Sequence, residues 1–159
     1  MSVISTVSAS FTRPADTTAY ASGDLVANST TAGSVVPMTF SLAPLANGGM
    51  IRRVRIRKTG TSVTSASFRL HLYTSSSITC ANGDNGAWST DQSANYVGAF
   101  DVTVDKAFTD GAAGNGVPLS GSEVNFARTT YYGLLEARGA YTPSSAEVFS
   151  VDLEVIRNG

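Results

Sequence analysis

Apolar and polar residues alternate along much of this chain with a period of two, which predicts half-buried strands rather than amphipathic helices. In residues 67–74, Phe68, Leu70 and Leu72 alternate with Arg69, His71 and Tyr73. In residues 100–104, Phe100, Val102 and Val104 alternate with Asp101 and Thr103. Near the end of the chain, Phe149, Val151, Leu153 and Val155 alternate with Ser150, Asp152 and Glu154. Each pattern turns one side to a core and the other to solvent or a partner. Residues 131–137 form a further apolar segment, with Gly133 in its middle marking a bulge or the close approach of another chain. Residues 3–11 and 35–42 are weaker strands, the second placed at a sheet edge by Pro37. No stretch carries helical periodicity beyond a single short turn.

Turn clusters separate these runs: Asn47-Gly48-Gly49, Thr59-Gly60, Asn82-Gly83-Asp84-Asn85-Gly86, Asp110-Gly111 through Asn115-Gly116, and Tyr141-Thr142-Pro143. Strands punctuated in this way predict an all-β fold, an antiparallel β-sandwich of the jelly-roll kind. Residues 105–125 read as the longest polar, glycine-rich connection and 75–95 as the next; loops of that length are functional or mobile as a rule. Residues 1–24 are expected to form an extended N-terminal arm and corner, and residues 25–159 a single sandwich domain.

At 159 residues the chain is long enough for one domain with a sizeable core. Only 14% of residues are charged, well below the roughly 25% of an ordinary soluble domain, and Ser, Thr, Ala, Asn and Gly take their place. Small neutral polar groups cost little to desolvate, which suits a surface that packs against neighbours. A net charge of −1 argues against bulk attraction to nucleic acid or anionic membrane. No run of 18 or more apolar residues is present, so no membrane-spanning helix is expected. The first residues, Met-Ser-Val-Ile-Ser-Thr, lack the basic and apolar regions of a secretory signal. The single cysteine, Cys80, excludes an internal disulfide and a multi-cysteine zinc site.

Residues 11–24 read Phe-Thr-Arg-Pro-Ala-Asp-Thr-Thr-Ala-Tyr-Ala-Ser-Gly-Asp and are built like a fixed corner. Pro14 locks its own φ and drives Arg13 to an extended conformation. Asp16 suits a turn held by its side chain, and Gly23 permits a left-handed residue before Asp24. Arg13, Asp16 and Asp24 gather at one corner of a chain with few charges, which predicts mutual pairing. The Phe-x-Arg-Pro-x-Asp…Tyr…Gly-Asp pattern, carried by Phe11, Arg13, Pro14, Asp16, Tyr20 and Asp24, resembles a segment of small virion proteins of tailed bacteriophages, the head decoration or cement proteins among them. The resemblance is sharp over these residues and general elsewhere. It implies a non-enzymatic protein on the exterior of a virion, assembled in the host bacterial cytoplasm. Its implied partners are a major capsid protein and other copies of the chain, as a dimer or trimer, with no cofactor.

Residues 51–58, Ile-Arg-Arg-Val-Arg-Ile-Arg-Lys, hold five of the eleven basic residues. As a strand they place Arg53, Arg55 and Arg57 on one face and Arg52, Val54, Ile56 and Lys58 on the other. Three guanidiniums in a row repel unless carboxylates answer them. The candidates are a cross-strand ladder, to Asp152 and Glu154 or to Asp101 and Asp105, or an acidic partner. Aliphatic residues intervene where single-stranded nucleic-acid readers interleave aromatics, so no direct nucleic-acid role is expected. Exposed rings in loops suggest a carbohydrate- or receptor-binding module of a phage tail or fibre as the alternative, with Trp88, Tyr96, Tyr131 and Tyr141 as contacts; a lone Trp such as Trp88 more often plugs one end of a sandwich core. Catalysis has little to work with. The only histidine, His71, lies on a polar strand face with no Gly-x-Ser-x-Gly elbow, and no motif links two glutamates. Asp84, Asn85 and Asp91 offer oxygen ligands, but the segment is first a turn sequence and does not match an EF-hand spacing. No catalytic or metal site is expected.

Overall fold

A computed structural model describes residues 2–42, 48–118, 124–126 and 129–157. The described residues form eleven strands: β1 (Val3–Thr12), β2 (Leu25–Val26), β3 (Met38–Ser41), β4 (Gly49–Lys58), β5 (Ser67–Tyr73), β6 (Tyr96–Thr103), β7 (Lys106–Phe108), β8 (Gly111–Gly116), β9 (Val124–Phe126), β10 (Thr130–Ala137) and β11 (Val148–Arg157). Among the described residues the only helical pieces are two single turns, Ala32–Ser34 and Ser93–Asn95.

Two antiparallel sheets pack face to face. Sheet one runs β1-β11-β4-β8-β7, with β9 also on β4; sheet two runs β2-β10-β5-β6, with β3 also on β10. The pairing is nested. The first strand pairs with the last, β2 and β3 with β10, β4 with β8, and β5 with β6. Folding a chain back on itself in this order across two layers makes a jelly-roll sandwich. The segment expected as an arm is therefore drawn into sheet one: β1 pairs with β11 over ten successive residues, from Val3↔Arg157 to Thr12↔Val148.

The period-two patterns land as their chemistry requires. Phe68, Leu70, Leu72, Phe100, Val102, Phe149, Val151, Leu153 and Val155 all face the core, with Val54, Ile56 and Phe40. Burying each large apolar side chain is worth about 1.5–3 kcal/mol. Gly133 marks a close approach, not a bulge: a Cβ there would press on the Phe40 ring, 2.9 Å away.

The long polar connection expected over 105–125 instead contains β7, β8 and β9. Composition hid these strands, and packing explains the composition. A Cβ on Gly114 or Gly116 would overlap the carbonyl oxygens of Thr103 or Asp101, so β8 lies against the backbone of β6 too closely for side chains. The other long connection, 74–95, is a cover. It is closed on itself by the bridge Cys80↔Thr90, pinned beside β2 by the bridge Asp24↔Ala87, and lies over the outer face of sheet two. There Cys80 joins Leu25, Ala27 and Leu134 in a second small core, with Ile78 and Trp88 packed against it. Trp88 thus plugs the outside of a sheet rather than an end of the sandwich, and burial raises the Cys80 thiol pKa.

Candidate functional site

The Arg13 corner is internal. Pro14 and the turn behind it carry Arg13 into the space between the end of β1 and the 82–86 turn, and its side chain is fully buried. Its Nε donates to Tyr20 Oη at 2.8 Å, and Nη1 donates to the carbonyl oxygens of Pro14 and Asp16 at 3.1 and 2.5 Å. Nη2 donates to Asp16 at 2.9 Å and to Asp84 at 3.1 Å. Tyr20 donates onward to Asp84 at 2.7 Å, and the Ala27 N–H reaches the same carboxylate oxygen at 2.9 Å. Burial raises the Asp84 pKa against these donors; burial and the neighbouring Asp84 charge raise that of Tyr20. Phe11 stacks on Phe149, with centroids 5.6 Å apart. The pairing expected among Arg13, Asp16 and Asp24 forms only in part. Asp24 instead caps its own turn, accepting the Ala21 N–H at 2.7 Å. The missing member is Asp84, which sequence had placed in a turn with oxygen ligands to offer; its carboxylate is spent on Arg13.

A second buried charge pair closes the C-terminal end of β4, beside the Arg13 corner, whose backbone N–H bonds the Glu147 carbonyl at 3.0 Å. Lys58 Nζ donates to the carbonyls of Gly60 and Ser62 at 2.8 and 2.5 Å and lies 3.4 Å from Glu147. Tyr141 donates to Glu147 at 2.7 Å. Burial lowers the Lys58 pKa, against the pull of Glu147.

The arginines of β4 lie on the outer face of sheet one. Arg53 donates to Glu154 at 2.7 Å and Arg55 to Asp152 at 2.8 Å. Arg57 grips Asp152 with two nitrogens, at 2.9 and 3.1 Å. Ser8 of β1 adds a bond of 2.6 Å to the same carboxylate. Burial alone would raise the Asp152 pKa, but the bonds from Arg57, Ser8 and Arg55 outweigh it and hold the value at about 2. Of the two candidate acid pairs, β11 supplies the ladder; Asp101 serves Arg69 in sheet two at 2.6 Å.

Arg52 departs from its expected face. The register slips between Glu154 and Val155, so Glu154 faces Arg53 while Val155 faces Ile51, leaving Arg52 as an extra residue. Such a bulge re-aims a side chain, and Arg52 and Arg53 both point outward. Arg52 then lies 3.7 Å from Glu154. Four guanidiniums, each about half exposed, therefore share two carboxylates among the described residues. Two positive charges remain on an open sheet face.

The aromatic candidates do not form one patch. Tyr131 and Tyr141 are buried. Trp88 stacks on His71 at 4.1 Å, and Tyr96, which is 43% exposed, lies beside them. His71 Nε2 is 2.9 Å from Glu136 and Nδ1 is 3.0 Å from Tyr96 Oη. Burial lowers the His71 pKa although Glu136 opposes this. A neutral imidazole satisfies the set, Nε2 donating to the carboxylate and Nδ1 accepting from the phenol. Among the described residues no serine hydroxyl bonds His71, and no cluster of three His, Cys, Asp or Glu could hold a metal ion. No helix among them is long and apolar enough to cross a membrane.

The described residues define a jelly-roll sandwich that presents a row of arginines on the outer face of one sheet. No protein-family model and no curated protein sequence matches the chain. Among solved structures it is similar to the K1 cleaved adhesin domain of Lys-gingipain from Porphyromonas gingivalis W83, at 15% identity and TM-score 0.29 over 98% of this chain and 99% of that one. It is also similar to the CBM22-1–GH10 modules of xylanase 10B from Clostridium thermocellum, at 13% identity and TM-score 0.28 over 94% of this chain and 26% of that one. A protein of unknown function from Shewanella oneidensis MR-1 gives 12% identity and TM-score 0.28 over 97% and 79%. Likenesses this distant carry no argument about activity.

Proposed function

We propose that this chain is a non-enzymatic decoration protein of a phage head, which binds across neighbouring capsomers and stabilises the assembled shell. The observation that carries the reading is the arginine row on sheet one, where four guanidiniums meet two carboxylates on a face with little else charged. Such a surface suits acidic side chains of a partner, since the arginine fork takes carboxylates two-pronged. The Arg-Pro-x-Asp corner, where the resemblance to virion proteins is sharpest, contributes rigidity: it ties β1 to the 82–86 turn and holds the sandwich in one shape. A binder that favours the assembled lattice stabilises it by its own binding free energy, and repetition over a symmetric shell multiplies a modest contact.

The test is cosedimentation of the purified chain with phage heads stripped of surface proteins. Arg52→Gln/Arg53→Gln removes excess charge while leaving Asp152 fully answered. The expected result is saturable binding that weakens about tenfold in the double variant and falls steeply with salt. Absence of saturable binding to heads, or binding indifferent to both changes, overturns the reading.

A further inference from the structure

The four lateral edges of the sandwich are not alike. The far edge of sheet one is broken into β7 and β9, each three residues long, and β7 carries Lys106. One edge of sheet two is broken into β2 and β3, with Pro37 directly before β3. Its other edge, β6, carries Asp101, has a register irregularity against β5 and is partly closed by the bridge Phe100↔Pro118. Short length, charge, proline and bulges are the means by which proteins blunt an edge against pairing with other chains. β1 has none of them. It runs ten residues, Val-Ile-Ser-Thr-Val-Ser-Ala-Ser-Phe-Thr, uncharged, without glycine or proline, and in unbroken register with β11. Among the described residues β11 is its one strand partner, so alternate N–H and C=O groups along its outer side have no described strand to bond.

We infer that β1 is a strand-pairing edge that joins two copies of this chain antiparallel about a two-fold axis, fusing their first sheets into one. The occupant follows from the residues. An edge bearing charge repels its own copy across a two-fold, whereas this one carries no charge to repel. With Val7 on the axis, Val3 falls opposite Phe11 of the other copy and Ile4 opposite its Ser10. Val3 and Ile4 are 50% and 59% exposed, large apolar side chains left in water at one end of the strand. At the other end a groove of about 420 Å³ runs between β1 and β3, lined by Ala9, Phe11, Val36 and Met38, with Val36 64% exposed. The two-fold brings the apolar end of each copy to the grooved end of the other. The inference rests on reading the chain as an assembly component, and gives that assembly its own paired unit.

Sedimentation equilibrium of the full chain tests it with two surface variants. Ile4 and Ser10 are exposed on the same face, and their neighbours on β11, Ile156 and Ser150, are uncharged, so both variants are expected to fold. Ile4→Lys/Ser10→Lys sets lysine against lysine twice across the axis and is expected to weaken the wild-type dimer about tenfold or more. Ile4→Glu/Ser10→Lys sets opposite charges there and is expected to restore it. A wild type that is monomeric at its highest soluble concentration overturns the inference, as does a lysine pair without effect or a Glu/Lys variant as weak as the Lys/Lys one. Binding to stripped heads separates the two readings. Monomers that still bind heads overturn the dimer alone, whereas a dimer that binds no heads leaves the pairing and removes the decoration role. A monomeric wild type whose head binding is lost in Ile4→Lys/Ser10→Lys gives the edge to the shell protein and likewise overturns self-pairing.

Discussion

Arg13 and Arg55 each meet an aspartate at hydrogen-bonding distance, 3.1 Å in one case and 2.8 Å in the other, yet they do opposite jobs. The Arg13 side chain is wholly buried and Arg55 is 49% exposed. Inside, a guanidinium must find a partner for every donor, and Arg13 finds Tyr20, Asp16, Asp84 and three backbone carbonyls in one closed set. Outside, water reaches the Arg55 guanidinium, which can turn to another anion while Arg57 and Ser8 still answer the buried Asp152. The same residue type is a fastener in one place and, in the proposed function, a docking group in the other, and solvent access makes the difference.

The sharpest way to break this contrast is Arg13→Met. Removing one member strands the buried Asp84 carboxylate, and the expected loss is about 3–5 kcal/mol, or a melting temperature lower by about 10 °C. Thermal unfolding checks it, and a change of only about 2 °C would mean the corner is not a fastener. Asp152→Asn tests the intermediate case, an acid buried beneath exposed arginines. Its loss at neutral pH is expected to be about 1–2 kcal/mol by denaturant titration. Because the folded carboxyl titrates at about 2, below its unfolded value near 4, its contribution is full above about pH 4. It fades as pH falls toward 2, so the gap between variant and wild type should close over that window; a gap that stays constant would refute the assignment. At the small end, Arg53→Gln should change stability by less than about 0.5 kcal/mol, because its partner Glu154 is reached by water. A larger destabilisation in the same titration would place the arginine row among the fasteners.

Much of the frame was legible because period two is a strong signal where one face is buried: β5, β6 and β11 follow from Phe68 to Leu72, Phe100 to Val104 and Phe149 to Val155. Three features were not. The small residues of β8 look like loop because the reason for them, the Thr103 and Asp101 carbonyls, lies on another strand. The turn of Arg52 to the surface depends on a register slip against β11 that no local pattern of β4 records. Asp84, 71 residues from Arg13, looks like a turn residue until the fold brings it to the corner. In each case the deciding neighbour is remote in sequence, and spacing along the chain carries no trace of it. The corner itself was partly visible, since a charged trio in a charge-poor chain needs partners; what stayed hidden was which partners.

The nested pairing also dictates when the molecule can fold. Val3 has to await Arg157 before sheet one closes, so a ribosome must deliver every residue between β1 and the end of β11 before the two strands meet. Contacts this distant make for slow folding, on the order of milliseconds to seconds. Any association that needs β1 seated in its sheet is thereby postponed until β11 has emerged.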